Sequence, residues 1–176
     1  MISRSNPSKN KKRKANKTVL FYGEGLAEEV FLKYLRSLYA YNTGVKVTVR
    51  NNKGGDPVSM VINASNEPGL FNRKIVVLDN DKKEIKQAIV EAKRNKIKII
   101  ESSPCLESTL LSILRPGKKY SDKTSSWCKH EFEAKYLNKK RRVDIGEYEK
   151  FFPKSVLDDA RIRVKELDTI IAEMEQ

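Results

Sequence analysis

The stretch Lys74-Ile75-Val76-Val77-Leu78-Asp79-Asn80-Asp81 decides the fold. Its apolar run is continuous rather than alternating, which is the pattern of a strand buried on both faces, as in a parallel sheet. The run ends on two carboxylates, and acids within a few ångströms of each other resist sharing a site while both are ionised. A hard divalent cation removes that difficulty by bringing positive charge to the carboxylate oxygens. A second apolar run, Thr18-Val19-Leu20-Phe21-Tyr22, closes in the same way on Gly23-Glu24-Gly25. Two strand ends carrying three acids point to a magnesium site.

Outward from these two runs, strand and helix signals alternate. Leu26 to Tyr39 reads as a helix with Val30, Phe31, Tyr34, Leu35 and Leu38 on one stripe, and Val45 to Val49 alternates as a half-buried strand. A loop over residues 51–57 leads to a short helix beginning near Val58. After the loop at residues 66–69 and the strand at 74–79, residues 83–93 predict a helix with Ile85, Ala88, Ile89 and Ala92 inward. Residues 97–100 are the fourth strand, and Ser102-Ser103-Pro104 signals a helix start. That helix, Cys105 to Leu114, stops at Pro116-Gly117. The order over 18–117 predicts an α/β core, a mainly parallel four-stranded sheet flanked by helices. Residues 118–176 read as a polar helical extension packed on that core. Its last helix carries Leu157, Ala160, Val164, Leu167, Ile171 and Met174 at three- and four-residue steps. This seam suits packing back onto the domain, and its other use is a coiled-coil homodimer.

A chain of 176 residues fits one domain with its own core. No stretch reaches the ~18–20 apolar residues of a membrane span, and no apolar segment of signal-peptide type follows the first basic residues. Cys105 and Cys128 lack CxxC spacing, so a reduced, cytoplasmic pair is expected. The lone His130 speaks against a histidine-rich metal centre or a Ser-His-Asp triad. The net charge of +13 is unevenly spread: residues 1–17 carry seven basic groups and no acid, which predicts a disordered basic tail. The remainder keeps a net charge of +6, with a run at Lys139-Lys140-Arg141-Arg142. Such a balance suits a polyanionic partner, nucleic acid foremost, bound with steep salt dependence.

In open parallel sheets the loops at the carboxyl ends of the strands share a crevice. Glu24 follows the first strand, Asp79 and Asp81 follow the third, and Glu107 lies in the first turn of the helix after the fourth. These four are the candidate metal ligands and catalytic groups. If the chain stays extended, Asp79 and Asp81 face one ion and Asn80 turns away. Magnesium takes one or two protein carboxylates and keeps its waters, and two ions about 4 Å apart suit phosphodiester hydrolysis. Each residue also has a plainer reading. Asp-x-Asp is common in surface turns, Glu24 suits the backbone donors of a helix start, and Glu107 suits a helix dipole. Glu28 and Glu29 are expected on a solvated helix face. Gly23-x-Gly25 lacks the GK[ST] ending of a P-loop, which disfavours a nucleotide triphosphatase. Tyr22, Ser102, Ser103 and Cys105 have no paired histidine. A cysteine at a helix N-terminus can have a lowered pKa, but simple packing is the commoner use. Metal-activated water is the simpler proposal, with Lys53, Lys82 and Lys129 as unranked candidates for stabilising phosphate charge.

Glu24-Gly25 with the surrounding strand, and Leu78-Asp79-Asn80-Asp81, resemble the opening motif and the Asp-x-Asp strand of Toprim domains. Four segments in order are similar to the RloB-like (AbiLii-type) family of bacterial defence proteins. They are Glu24-Gly25-Leu26-Ala27-Glu28-Glu29, Gly54-Gly55-Asp56-Pro57, Asp79-Asn80-Asp81 and Pro104-Cys105-Leu106-Glu107. The resemblance covers roughly residues 17–172. Two departures bear on substrate preference: Tyr-Gly-Glu-Gly replaces the commoner Cys-Glu-Gly, and Leu106-Glu107-Ser108 lacks the flanking aromatic. The resemblance implies a Toprim fold and phosphodiester chemistry dependent on Mg2+, or on Mn2+ in its place. Glu24 matches the Toprim glutamate, Asp79 and Asp81 its metal-binding aspartates, and Glu107 the family's later glutamate. It also implies an ATPase partner and a role in abortive infection. Against this nuclease reading stands a catalytically silent subunit that binds nucleic acid or docks an ATPase.

Overall fold

The computed structural model describes residues 17–176, so the basic tail expected over residues 1–17 lies outside the described residues apart from Lys17. The first part of the chain alternates β1 (Lys17–Gly23), α1 (Leu26–Tyr39), β2 (Val45–Asn51), α2 (Pro57–Asn66), β3 (Arg73–Asp79), α3 (Ile85–Arg94), β4 (Lys98–Ser102) and α4 (Leu106–Leu114). These form an α/β core whose four strands are all parallel, in the order β2-β1-β3-β4. A C-terminal helical region follows: α5 (Ser125–Lys135), a 3-10 turn (Arg141–Val143), α6 (Ile145–Phe151), α7 (Lys154–Arg161) and α8 (Lys165–Glu175). Among the described residues no helix is long and apolar enough to cross a membrane.

Strand alternation sorts the core into two layers. Val19, Phe21, Ile75 and Val77 face α1, α4 and the C-terminal helices, whereas Leu20, Tyr22, Val76 and Leu78 face α2 and α3. The continuous apolar run of β3 is therefore buried on both sides. The helix after β1 lies on one face and the helix after β3 on the other, which opens a crevice at the carboxyl ends of these neighbouring strands. Tyr22 pairs with Val76, so the next steps along both strands bring Glu24 level with Leu78, one residue short of Asp79.

Two expectations change. The final seam is not one helix, because the chain breaks at Ile162–Val164, where Val164 is extended (φ −110°, ψ 91°). All six seam residues are nevertheless buried in the chain's own core. Two short helices can turn the stripe against a curved layer where one straight rod would not, and Arg161 clamps the break by pairing with Asp168 and Glu175. The stripe is thus used inside the chain rather than left for a partner. The second change concerns Pro104, which stands outside α4, ahead of the N-cap Cys105 and after a cis Ser103–Pro104 bond.

Candidate active site

The crevice is an open cleft of about 690 Å³. Its floor comes from the sheet half of the chain: Glu24 and Gly25 after β1, Glu28 on α1, Asp79 at the end of β3 and Glu107 in the first turn of α4. Alternation explains the convergence, since Asp79 continues the Ile75 and Val77 face toward α1 and α4. One oxygen of Asp79 accepts the Leu106 amide at 3.0 Å, which ties the strand end to the start of α4. The β2–α2 loop closes the same edge: Gly54, in the left-handed region at φ +85°, donates its amide to the Glu24 carbonyl at 3.0 Å. Asp56 then caps α2 by accepting the Ser59 amide, with Pro57 at the first helical position.

Glu28 corrects an expectation. Helical periodicity puts it on a solvated face, but its carboxylate turns back to accept the Gly25 amide at 2.9 Å and lines the cleft. Gly23 makes room for this arrangement, since a Cβ there would stand 2.7 Å from Glu28 Cβ. Glu29 is half-buried too, pairing with Lys33 at 2.6 Å and accepting from Asn51.

Asp81 is the second correction. β3 ends at Asp79, and Asn80-Asp81 bends into a turn as the Asn80 amide bonds to the Ser102 carbonyl at 3.0 Å. Asp81 is therefore exposed, lies outside the cleft and accepts a hydrogen bond from Ser125 Oγ. The strand does not stay extended through Asp81, and Asp79 is buried where Asp81 is exposed, although both act on the charge of Lys82. Glu24, Asp79 and Glu107 do share the cleft, joined by Glu28.

The opposite wall and rim come from the C-terminal region. Ser126, Lys129, His130 and Glu133 of α5 line the cleft, with Lys139 and Arg142 beyond them. Sequence reasoning passed over this wall. Its signal was present: the four α5 positions recur at i, i+3, i+4 and i+7, a polar stripe opposite the buried Cys128 and Phe132.

Charge governs the cleft. Burial, then the neighbouring Glu28, Glu24 and Glu107, push the Asp79 carboxyl up to about 8. Burial also raises Glu28, with Glu107 and Glu24 adding to it against its backbone hydrogen bonds. Lys129 feels the same acids: burial works against its charge, but Glu107, Asp79 and Glu24 outweigh it and its pKa is raised. Lys82 forms a 3.0 Å pair with Glu24, and that bond raises its pKa. Lys53 is exposed on the β2–α2 loop. Arg142 is buried and bridges Glu107 and, at 3.0 Å, Glu133. Glu107 Oε2, Arg142 Nε and Tyr148 Oη are buried there without a hydrogen-bond partner. Cys105 is buried and burial pushes its thiol well up, so the packing use holds.

A model of the RloB-like protein family matches residues 19–176, nearly the whole described chain. The chain belongs to the RloB-like family. No curated protein and no solved structure shows significant similarity to this RloB-like chain.

A divalent cation fits the donor chemistry of the cleft. The donors are carboxylate oxygens, the hard type that magnesium prefers. Asp79 carries a repulsion that a cation would relieve, and Glu107 Oε2 is a buried acceptor without a donor. Among the described residues, no three His, Cys, Asp or Glu side chains already converge into a finished cage. Magnesium does not need one, since it binds through one or two carboxylates plus water and substrate phosphate.

Proposed function

We propose that this RloB-like protein is a magnesium-dependent nuclease of Toprim type that hydrolyses nucleic-acid phosphodiester bonds, manganese serving in place of magnesium. The observation that carries the reading is a floor of four carboxylates at a topological switch point, faced by a cationic wall. Glu24 and Asp79 would hold the ion, with Glu107 as a further ligand. Bound there, it would lower the pKa of a coordinated water and neutralise charge on the reacting phosphate. The chain's own residues supply the rest. Lys129, held charged by the acids beneath it, stands across the cleft to meet the phosphate. It ranks above Lys53, which is exposed outside the cleft, and above Lys82, which is committed to Glu24. Lys139 extends the cationic rim along which a strand would lie, with the His130 ring beside it. Arg142 pairs with both Glu107 and Glu133 and positions Glu107. Asp81 is a positioning residue in this scheme, holding α5 through Ser125.

Cleavage of RNA and DNA with magnesium, with manganese and with EDTA tests the proposal. The natural chain is expected to cut with either metal and not with EDTA. Glu24→Ala and Asp79→Ala are expected to lose activity by a factor on the order of a thousand, the scale of positioned carboxylates. Full activity in both variants would sink the assignment.

A second reading is favoured by the ion pairs themselves. Glu24 with Lys82 and one oxygen of Glu107 with Arg142 are already paired, as they would be in a silent subunit that binds nucleic acid or docks an ATPase. Nucleic-acid binding indifferent to magnesium and to carboxylate replacement would favour it. The role in abortive infection and the ATPase partner rest on the family resemblance. A homodimer would need a surface other than the seam of α7 and α8.

A further inference from the structure

Trp127, the only tryptophan of the chain, belongs to neither hydrophobic core cluster and is 41% exposed. An indole is a costly residue to leave in water when packing does not require it there. It is also packed on one side. Its ring stacks on Tyr120, with centroids 6.1 Å apart and planes 27° apart, and Tyr120 is itself buried. Its own amide is fixed by Thr124 Oγ1 at the start of α5. Lys123 Nζ lies 5.7 Å from the ring centre, and Lys118 and Lys119 precede Tyr120 on the same loop. Asp122, 3.8 Å from Lys123, offsets part of this charge.

The position on α5 matters most. Residues three apart on a helix are neighbours, with Cβ atoms about 5–6 Å apart, so Trp127 adjoins His130, which lines the cleft. Ser126, the preceding residue, lines it too. A half-exposed ring, stacked on one side, therefore sits on α5 beside two residues that line the carboxylate cleft, with Lys123 over it. Exposed aromatic rings flanked by cations are the means by which proteins grip single strands, because every base offers a face to stack on. Bases of a duplex are stacked on one another and cannot offer that face without being flipped out.

We propose that Trp127 is a stacking platform for an unpaired base of a single-stranded nucleic acid, and that it seats the strand so that a neighbouring phosphate enters the cleft. This deepens the nuclease reading and rests on it for the identity of the cleft. It commits the substrate class to single-stranded segments of RNA or DNA, since the face of a base is common to both.

With one tryptophan among seven tyrosines, fluorescence excited at the red edge of the absorption band, where only indole absorbs, reports on this position alone. A short single-stranded RNA, the DNA of the same sequence and the duplex of each are titrated in EDTA, where nothing is cut. Single strands are expected to quench the emission at concentrations where duplexes do not, and the two sugars separate RNA from DNA preference. By anisotropy with labelled strands, Trp127→Ala is expected to bind about 5- to 150-fold more weakly. Trp127→Phe, which keeps a ring and the fold, is expected to retain most of the affinity. Equal quenching by duplex overturns the proposal, as does unchanged affinity in Trp127→Ala. Absence of quenching by any nucleic acid also overturns it and turns the ring into a protein-contact surface. The two readings fail separately. Magnesium-dependent cleavage without quenching sinks the platform alone, and quenching without magnesium-dependent cleavage sinks the nuclease alone.

Discussion

The sheet half and the helical half of the chain contribute opposite charges to one cleft. Glu24, Glu28, Asp79 and Glu107 rise from the sheet edge, whereas Lys129, Lys139 and Arg142 descend from the C-terminal region, along with His130 and a single acid, Glu133. Four acids gathered alone would repel one another, and the raised pKa of Asp79 records that repulsion. The helical half offsets it only in part. Arg142 pairs with one oxygen of Glu107, and Lys129 acts on Asp79 from a distance. The lesson is that the C-terminal region does more than cover the sheet, since it completes the electrostatics of the site.

The sharpest way to separate the halves is to remove the buried link between them. Arg142→Ala leaves Glu107 buried without its cation, a loss on the order of 3–5 kcal/mol. Chemical denaturation should register it, and a change below about 1 kcal/mol would mean that apolar packing and the other polar links, such as Tyr34 Oη to the Phe152 carbonyl and Arg73 to Glu173, hold the halves without it.

The pH dependence comes next. Burial and the neighbouring acids push the Asp79 carboxyl up to about 8 in the folded chain, against 3.8 for the free side chain, so between these values the folded state holds more protons than the unfolded state. Stability must then fall as pH rises from about 4 toward 8. Asp79→Asn keeps an oxygen for the Leu106 amide and removes the titration, so its stability curve should be flatter over that window. An unaltered slope would show that the burden lies elsewhere, Glu28 being the next candidate.

Within the sheet half, Gly23→Ala sets a methyl group against Glu28 Cβ and should cost about 1–3 kcal/mol, the usual scale of overpacking. A neutral result would mean that α1 shifts freely. The smallest effect is expected at the half-exposed Lys82–Glu24 pair, where Lys82→Ala should change stability by no more than about 1 kcal/mol. A larger loss would make that pair part of the scaffold.

The sheet half was far more legible in the sequence than the helical half. Apolar runs and glycine punctuation located β1, α1, β2, β3 and α4 to within a residue or two, because backbone pairing and burial on two faces leave few alternatives. Glu24, Asp79 and Glu107 could be found because strand ends in a parallel sheet converge. Asp81 misled, since alternation holds only while a strand continues and β3 ends at Asp79. Glu28 was missed because a capping contact, not helical periodicity, sets its direction. The α5 wall was harder still. Its polar stripe was readable, but which surface a packed helix turns toward a distant strand end depends on tertiary contacts that local pattern does not encode. The seam of Leu157 to Met174 was read with the right residues and the wrong continuity, because burial survives a bend that periodicity does not reveal.

The central claim, that the acid floor takes up a divalent cation, is tested most directly by thermal unfolding at pH 8 with and without magnesium. A ligand at about a hundred times its dissociation constant stabilises a fold by about 2.7 kcal/mol, which for a chain of this size is a rise in Tm of about 5–10 °C. The natural chain should show that rise, and Asp79→Asn should not. An equal rise in both, or no rise in the natural chain, would contradict the account.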